Sequence, residues 1–179
     1  MTEPETYITD EVRALIGKES PPITAFHAVE SSEVRRFIQA IMDDDPIYWD
    51  AEYAKKTKYG TVVAPPLFPE IMFRREPGTP DPLAEAATNP DFDGSGGGQG
   101  TGLPPVPLKG LPRLLNGGSE VEIYKLAALG DRITARSKYV DIYEKRGRSG
   151  LMVFIITETT YTNQNGEVLL IKRQTTIRR

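Results

Sequence analysis

Three consecutive carboxylates, Asp43, Asp44 and Asp45, stand against Pro46 in the stretch IQAIMDDDPIYWDAEYA, with a phenol at Tyr48. Carboxylates clustered in this way could form an acid/base site. Acidic residues closing a helix also have a plainer use in capping and hydration, although negative charge there opposes the helix dipole. Few other groups compete for a chemical role. The chain has one histidine, His27, and no cysteine. Disulfides and thiolate chemistry are thereby excluded, and a metal could be held only through oxygens and one imidazole, so neither a metal nor another cofactor is expected. His27 falls in an extended run, where a lone histidine is more often a packed or edge residue than a catalyst. Lys55, Lys56 and Lys58, with Arg146 and Arg148, could meet phosphates, but such residues ordinarily form a solvated face. The run GSGGGQG at 94–100 is not a phosphate loop, since no strand leads into it and no Gly-Lys-Ser/Thr follows. Trp49 and Tyr53 flank the acidic motif as packing or interface residues.

The elements that must position these groups can be read from periodicity. Ile8, Val12, Leu15 and Ile16 predict a short helix over 7–17, with Thr9 or Asp10 as N-cap and Gly17 as stop. Pro21 and Pro22 break the chain before a first strand running through Phe26 and Val29. From Ser31 the apolar residues Val34, Phe37, Ile38 and Ile41 recur at helical spacing, with Ser31 or Ser32 placed to cap the first turn. Pro46 disfavours helical geometry before it, so this helix is expected to end at Asp44 or Asp45. DAEYAKKT reads as a shorter helix and YGTVVAPP as a small apolar turn or strand. Residues 74–113, dominated by proline and glycine, read as a long flexible loop. The remainder is strand-like: SEVEIYKLA, DRITARSKYVDIYEK, LMVFIITETTYTN and VLLIKRQTTIRR, separated by turns at Gly130-Asp131, Arg146-Gly147 and Asn165-Gly166. A well-formed helix ahead of four antiparallel strands predicts an α+β domain in which the sheet wraps a helix.

The 179 residues, with a formal net charge of -3, fit one globular domain spanning 1–179. The mild acidity argues against a nucleic-acid partner, which requires a basic footprint. No stretch has the apolar length of a membrane span, and the N-terminus lacks a basic start followed by an apolar run, so a cytoplasmic protein is expected.

The order of apolar helix, acidic end, Asp-Pro-Ile-Tyr, DAEYAKKTKYG and VVAPP resembles the MaoC-like, (R)-specific enoyl-CoA hydratase family. Active members of that family read G-D-x-N-P-x-H at the helix end, then D-x-x-[FY]-A-x-x-[ST]-x-[FY]-G and a short I-[AV]-H-G turn. GSEVEIYKLAALGDRI and YTNQNGEVLLIKRQTTIRR resemble the family's strand-turn-strand and final hairpin. The likeness is greatest to the MaoC N-terminal-like, FAS1-like dehydratase branch, where APP replaces the catalytic turn. It implies a hotdog fold, an antiparallel sheet around a long central helix, paired with a second hotdog domain. It also implies an acyl-CoA or acyl-ACP thioester as ligand and water addition across an enoyl double bond.

Laid on this chain, the family's aspartate falls on Asp43, its asparagine on Asp45, its proline on Pro46 and its histidine on Tyr48. The turn's His-Gly falls on Pro65-Pro66. The resemblance makes Asp43 and Tyr48 the catalytic positions, and Tyr59, Gly60, Val63, Ala64, Pro65 and Pro66 the substrate-binding ones. The departures change the chemistry. A phenol with an ordinary pKa of about 10 is a poor proton shuttle near neutrality compared with an imidazole at about 6.5. Prolines have no amide hydrogen to offer a developing oxyanion. The reading is therefore the non-catalytic hotdog subunit of a heteromeric hydratase, shaping the acyl tunnel of a catalytic partner. An active homomeric hydratase using Asp43 and a non-enzymatic acyl-CoA-binding domain are the alternatives.

Overall fold

The computed structural model describes residues 6–74, 76–80, 84, 88, 100–148 and 150–179. Of the loop expected over 74–113, residues 75, 81–83, 85–87 and 89–99 lie outside the described residues. Five antiparallel strands form one sheet in the order β1-β3-β4-β5-β2. They are β1 (Ile23–Thr24), β2 (Leu114–Ile123), β3 (Thr134–Gly147), β4 (Gly150–Thr162) and β5 (Val168–Arg178). The long strands are rich in β-branched and aromatic residues, which fit a pleated, half-buried surface. Tight turns join the paired strands: Gly147 pairs with Gly150 across the β3–β4 turn, and Gly166 takes φ 76° between β4 and β5. The Gly130-Asp131 turn, with Gly130 at φ 90° and Asp131 accepting the Ala128 amide at 2.8 Å, instead leads from β2 to β3, which are not neighbours in the sheet, because β2 crosses over to pair with β5.

The expected first strand contracts to the two residues of β1, and β2 begins at Leu114 rather than Ser119. Between Asn116 and Ser119 the pairing of β2 with β5 slips. There Gly117 approaches so closely that an added Cβ would lie 2.7 Å from Thr175 Cγ2.

Among the described residues four helices lie beside the sheet: α1 (Asp10–Arg13), α2 (Ser31–Ile41), α3 (Ala51–Ala54) and α4 (Phe68–Ile71), with a 3-10 turn at Pro46–Tyr48. Thr9 caps α1 as expected. Val34 and Ile38 of α2 are buried, and Phe37 meets Phe68 edge-on at 5.6 Å between ring centres. The serines do not cap α2. Its N-cap is Glu30, without a side-chain bond, and it ends at Ile41 because Met42 turns left-handed at φ 56°. That residue, rather than Pro46, is the stop. The fold is the α+β arrangement that the pattern of one well-formed helix and four long strands predicted, and the hotdog that the family resemblance implied.

Alternation along β4 separates two faces. Tyr161, with Ala135 opposite it on β3, joins the core under α2 that includes Ile133, Leu169 and Leu170. At the other end of this inner face, Val153, Ile155, Tyr139 and Ile142 pack with Val12 and Leu15 of α1 and with Leu111. Between the two apolar clusters the face is polar, at Thr157, Thr159 and Ser137. Ile156 stands on the opposite, outward face with Glu158. That face is not simply open to water. Glu158 is 8% exposed and held by Lys138 and Arg173 at 2.7 Å each, and Arg173 also meets Glu122 at 2.6 Å.

Candidate functional site

The left-handed Met42 turns the chain so that the aspartates leave α2 and organise the short helical turns after it. Asp43 Oδ1 accepts the Asp45 amide at 3.2 Å, and Asp45 Oδ1 accepts that of Ile47 at 3.0 Å, capping the 3-10 turn. Asp50 repeats the device for α3, accepting the amides of Glu52 and Tyr53 at 2.9 and 3.0 Å. These carboxylates thus stand at the amino ends of the next short helices, where negative charge is favourable. The Asp44 side chain, by contrast, caps nothing; its carbonyl accepts the Trp49 indole N–H at 3.2 Å.

Asp43 is half-buried and lines a groove of about 570 Å³ with Arg35, Ile38, Gln39, Met42, Asp44 and Trp49. Met42 is 89% exposed and Trp49 58%, so the groove is a partly apolar surface with two carboxylates, Asp43 and Asp44, set in it. Trp49 and Tyr53 are both exposed, which fits an interface better than packing.

Tyr48 lies inside, 9% exposed, within the core under α2. Burial, then the charges of Asp43 and Asp45 and the neighbouring Tyr59, push its phenol above the ordinary 10.0. The structure therefore brings Asp43 and Tyr48 together, and their proximity makes Tyr48 a weaker acid still. It remains a neutral O–H donor, with no hydrogen bond of its own among the described residues.

The turn at 62–66 is equally informative. The Val63 amide donates to Ile47 O at 3.2 Å, that of Ala64 to Ala127 O at 2.8 Å and that of Phe68 to Pro65 O at 2.9 Å. Pro65 and Pro66 have no amide hydrogen. Across 63–68 only the amide of exposed Leu67 is left, so the turn presents no paired donors to a developing oxyanion. Val63, Ala64 and Pro65 are buried as core residues, Pro66 is half-buried, and Gly60 is exposed at φ 68°.

Tyr59 and Val63 do meet at a second groove, of about 520 Å³, with Lys58, Tyr124, Lys125 and Leu126. Lys58 lies 5.2 Å above the Tyr59 ring, and Lys125 pairs with Glu167 at 2.7 Å. Sequence reasoning had singled out Lys58 but not Tyr124 or Lys125, which reach it only through the isolated Val63–Ala128 bridge. His27 is exposed against Phe26, at 4.5 Å between ring centres, and does not join Asp43. Among the described residues no cluster of three or more acidic or histidine side chains could hold a metal, and no helix is long and apolar enough to cross a membrane.

A five-stranded antiparallel sheet packed on a helix that this acidic turn follows is the fold of a MaoC-like dehydratase from Rhodospirillum rubrum, similar with a TM-score of 0.57 at 18% identity over 92% of this chain and 93% of that one. Residues 14–172 match the family described as the FAS1-like dehydratase domain region, and the chain belongs to that family. A protein of Thermomonospora curvata named "Probable enoyl-CoA hydratase alpha subunit" is 30% identical over 141 residues, covering 78% of this chain. The chain spans only 41% of that relative's length. Among solved structures, the ChsH1-ChsH2 complex from Mycobacterium tuberculosis is similar with a TM-score of 0.70 at 17% identity, over 94% of this chain and 93% of that one. The HadBC (3R-hydroxyacyl-ACP dehydratase) complex of the same organism gives a TM-score of 0.58 at 17% identity, over 91% and 96%. At these identities the likeness is one of fold.

Proposed function

We propose that this chain is the non-catalytic hotdog subunit of a heteromeric MaoC-like enoyl-thioester hydratase or dehydratase in the cytoplasm. In this reading it supplies binding surface to a partner that carries an intact Asp-x-Asn-Pro-x-His motif. The observation that carries the reading is the state of the helix-end corner. Asp43 can hold a water, but the phenol beside it is pushed away from neutrality and the facing turn lacks paired amide donors. Hydration requires a base for water, an acid for the α-carbon and donors for the enolate oxygen, and here two of the three are missing.

An unpaired sheet edge supports a hotdog partner. Among the described residues β2 pairs only with β5, and Leu114, Leu115 and Ile123 beside Tyr124 are exposed along it. Such an edge is a template for another strand. A relative named as an alpha subunit and fold neighbours solved as two-protein complexes support the same assembly. The ligand proposed is an acyl-CoA or acyl-ACP thioester, with Lys58 and Lys125 flanking the groove that would receive its charged head.

The test is to assay trans-2-enoyl-CoA hydration by the chain alone, by a MaoC-like partner alone and by the copurified pair. The expected result is no activity from the isolated chain and activity in the pair that survives Asp43→Ala. Substantial activity of the isolated chain, abolished by Asp43→Ala, overturns the reading in favour of an active homomer. A chain that binds acyl-CoA but never activates a partner is a binding domain instead.

A further inference from the structure

Away from the helix-end corner, the polar belt between the two apolar clusters borders a cavity of about 260 Å³ on the inner face. Its apolar walls are Ile23, Phe73 and Ala135, and its polar groups come from Glu70, Ser137, Thr159 and Tyr161, with Thr101 at the rim. The hydrogen bonds here are incomplete in a specific way. Ser137 Oγ and Thr159 Oγ1 lie 2.8 Å apart, so one donates to the other and the receiving hydroxyl keeps its own hydrogen. The Tyr161 side chain is nine-tenths buried and packs against Phe73 at 5.6 Å between ring centres, yet its hydroxyl makes no hydrogen bond among the described residues. Burial and the nearby Glu70 charge push this phenol well above its ordinary range, so it stays a neutral donor.

Two O–H donors without a protein partner among the described residues open on this cavity beside apolar groups, and together they form a site for an oxygen acceptor. The fixed charge narrows the choice. Glu70 is bound to Lys172 at 2.6 Å and both are largely covered, so the pair is balanced and favours neither an anion nor a cation. The second Glu70 oxygen can still accept a hydrogen from a ligand. The volume lies just below the usual lower bound of about 300 Å³ for small-molecule pockets, which suits a small molecule or one end of a larger one.

We propose that this cavity binds a neutral, mainly apolar ligand through a carbonyl or hydroxyl oxygen, which accepts hydrogen bonds from Tyr161 and from the Ser137/Thr159 pair. The site uses none of the residues of the helix-end corner, so it stands whether or not the hydratase reading does. It is tested on the whole chain by NMR titration with three probes of similar size: cyclohexanone, cyclohexanol and methylcyclohexane. The ketone and alcohol are expected to bind more tightly than the hydrocarbon and to shift the signals of β3 and β4 around Ser137 and Thr159. Tyr161→Phe should weaken ketone binding about three- to tenfold, the worth of one neutral hydrogen bond, while leaving methylcyclohexane unchanged. Thr159→Val, a near-isosteric second variant, should act in the same direction. Equal affinity for all three probes, no binding, or ketone affinity indifferent to both variants would show that the donors serve only trapped water, and would overturn the proposal.

Discussion

The helix-end corner and the middle of the sheet hold similar polar groups in opposite states. In the corner, the carboxylates of Asp43, Asp45 and Asp50 cap main-chain amides, and those of Val63, Ala64 and Phe68 are tied to carbonyls. On the inner face, Tyr161 and one hydroxyl of the Ser137/Thr159 pair remain open to a cavity. The corner's carboxylates and amides are largely engaged with one another and with the main chain; the sheet's hydroxyls leave hydrogens available. A group's chemistry depends on whether its hydrogen bonds are already engaged, and residue type alone does not report that.

The difference can be attacked in order of expected effect. If the corner is core first, Phe68→Ala, at a side chain 0% exposed and packed on Phe37, should cost about 3 to 5 kcal/mol in urea unfolding. In the mid-sheet, Glu158 is held below its ordinary 4.5, chiefly by the hydrogen bond from Lys138 and then that from Arg173, against a burial penalty. A lowered native pKa means that the unfolded state takes up protons first as pH falls. Its contribution is therefore complete above about pH 4.5 and lost as pH drops through the lower native value. Glu158→Gln should lower stability at pH 7 by about 1 to 2 kcal/mol and flatten the acid limb of the stability profile. The acidic run itself should split. Asp50→Ala, which frees two capped amides, should cost about 1 kcal/mol. Asp44→Ala, which frees none, should stay within about 0.5 kcal/mol by thermal denaturation. The smallest change in stability, again within about 0.5 kcal/mol, is expected for Leu115→Lys with Ile123→Lys on the exposed edge; sedimentation should nevertheless show weakened pairing with a hotdog partner.

Much of the fold was legible because the determinants are local. The apolar spacing of Val34, Phe37, Ile38 and Ile41 marked α2, and the turn signals at Arg146-Gly147 and Asn165-Gly166 marked the β3–β4–β5 hairpins, whereas nothing local announced that β2 crosses over to pair with β5. The end of α2 was not legible, since it depends on a non-glycine residue, Met42, adopting a left-handed conformation that its type does not announce. The chemistry of the corner was partly legible, in Tyr48 and Pro65-Pro66, because a phenol and a missing amide hydrogen are intrinsic to those residue types. The engagement of the Val63 and Ala64 amides was hidden, because their acceptors, Ile47 and Ala127, are set by tertiary contact. Tyr161 gave no signal at all; in sequence it is one aromatic in a strand, and its free hydroxyl exists only once Ser137, Glu70 and Phe73 surround it.

The slip in β2 has a consequence for solubility. A flat ten-residue edge bearing Leu114, Leu115 and Ile123 would accept any extended chain in open-ended register, the geometry from which fibrils grow. The displaced residues between Asn116 and Ser119, with Gly117 pressed against Thr175, bend that edge and break it into two short ladders. A visiting strand can pair along both halves only if it carries a matching irregularity, so the bulge works as a lock that admits a shaped partner and stops a polymer.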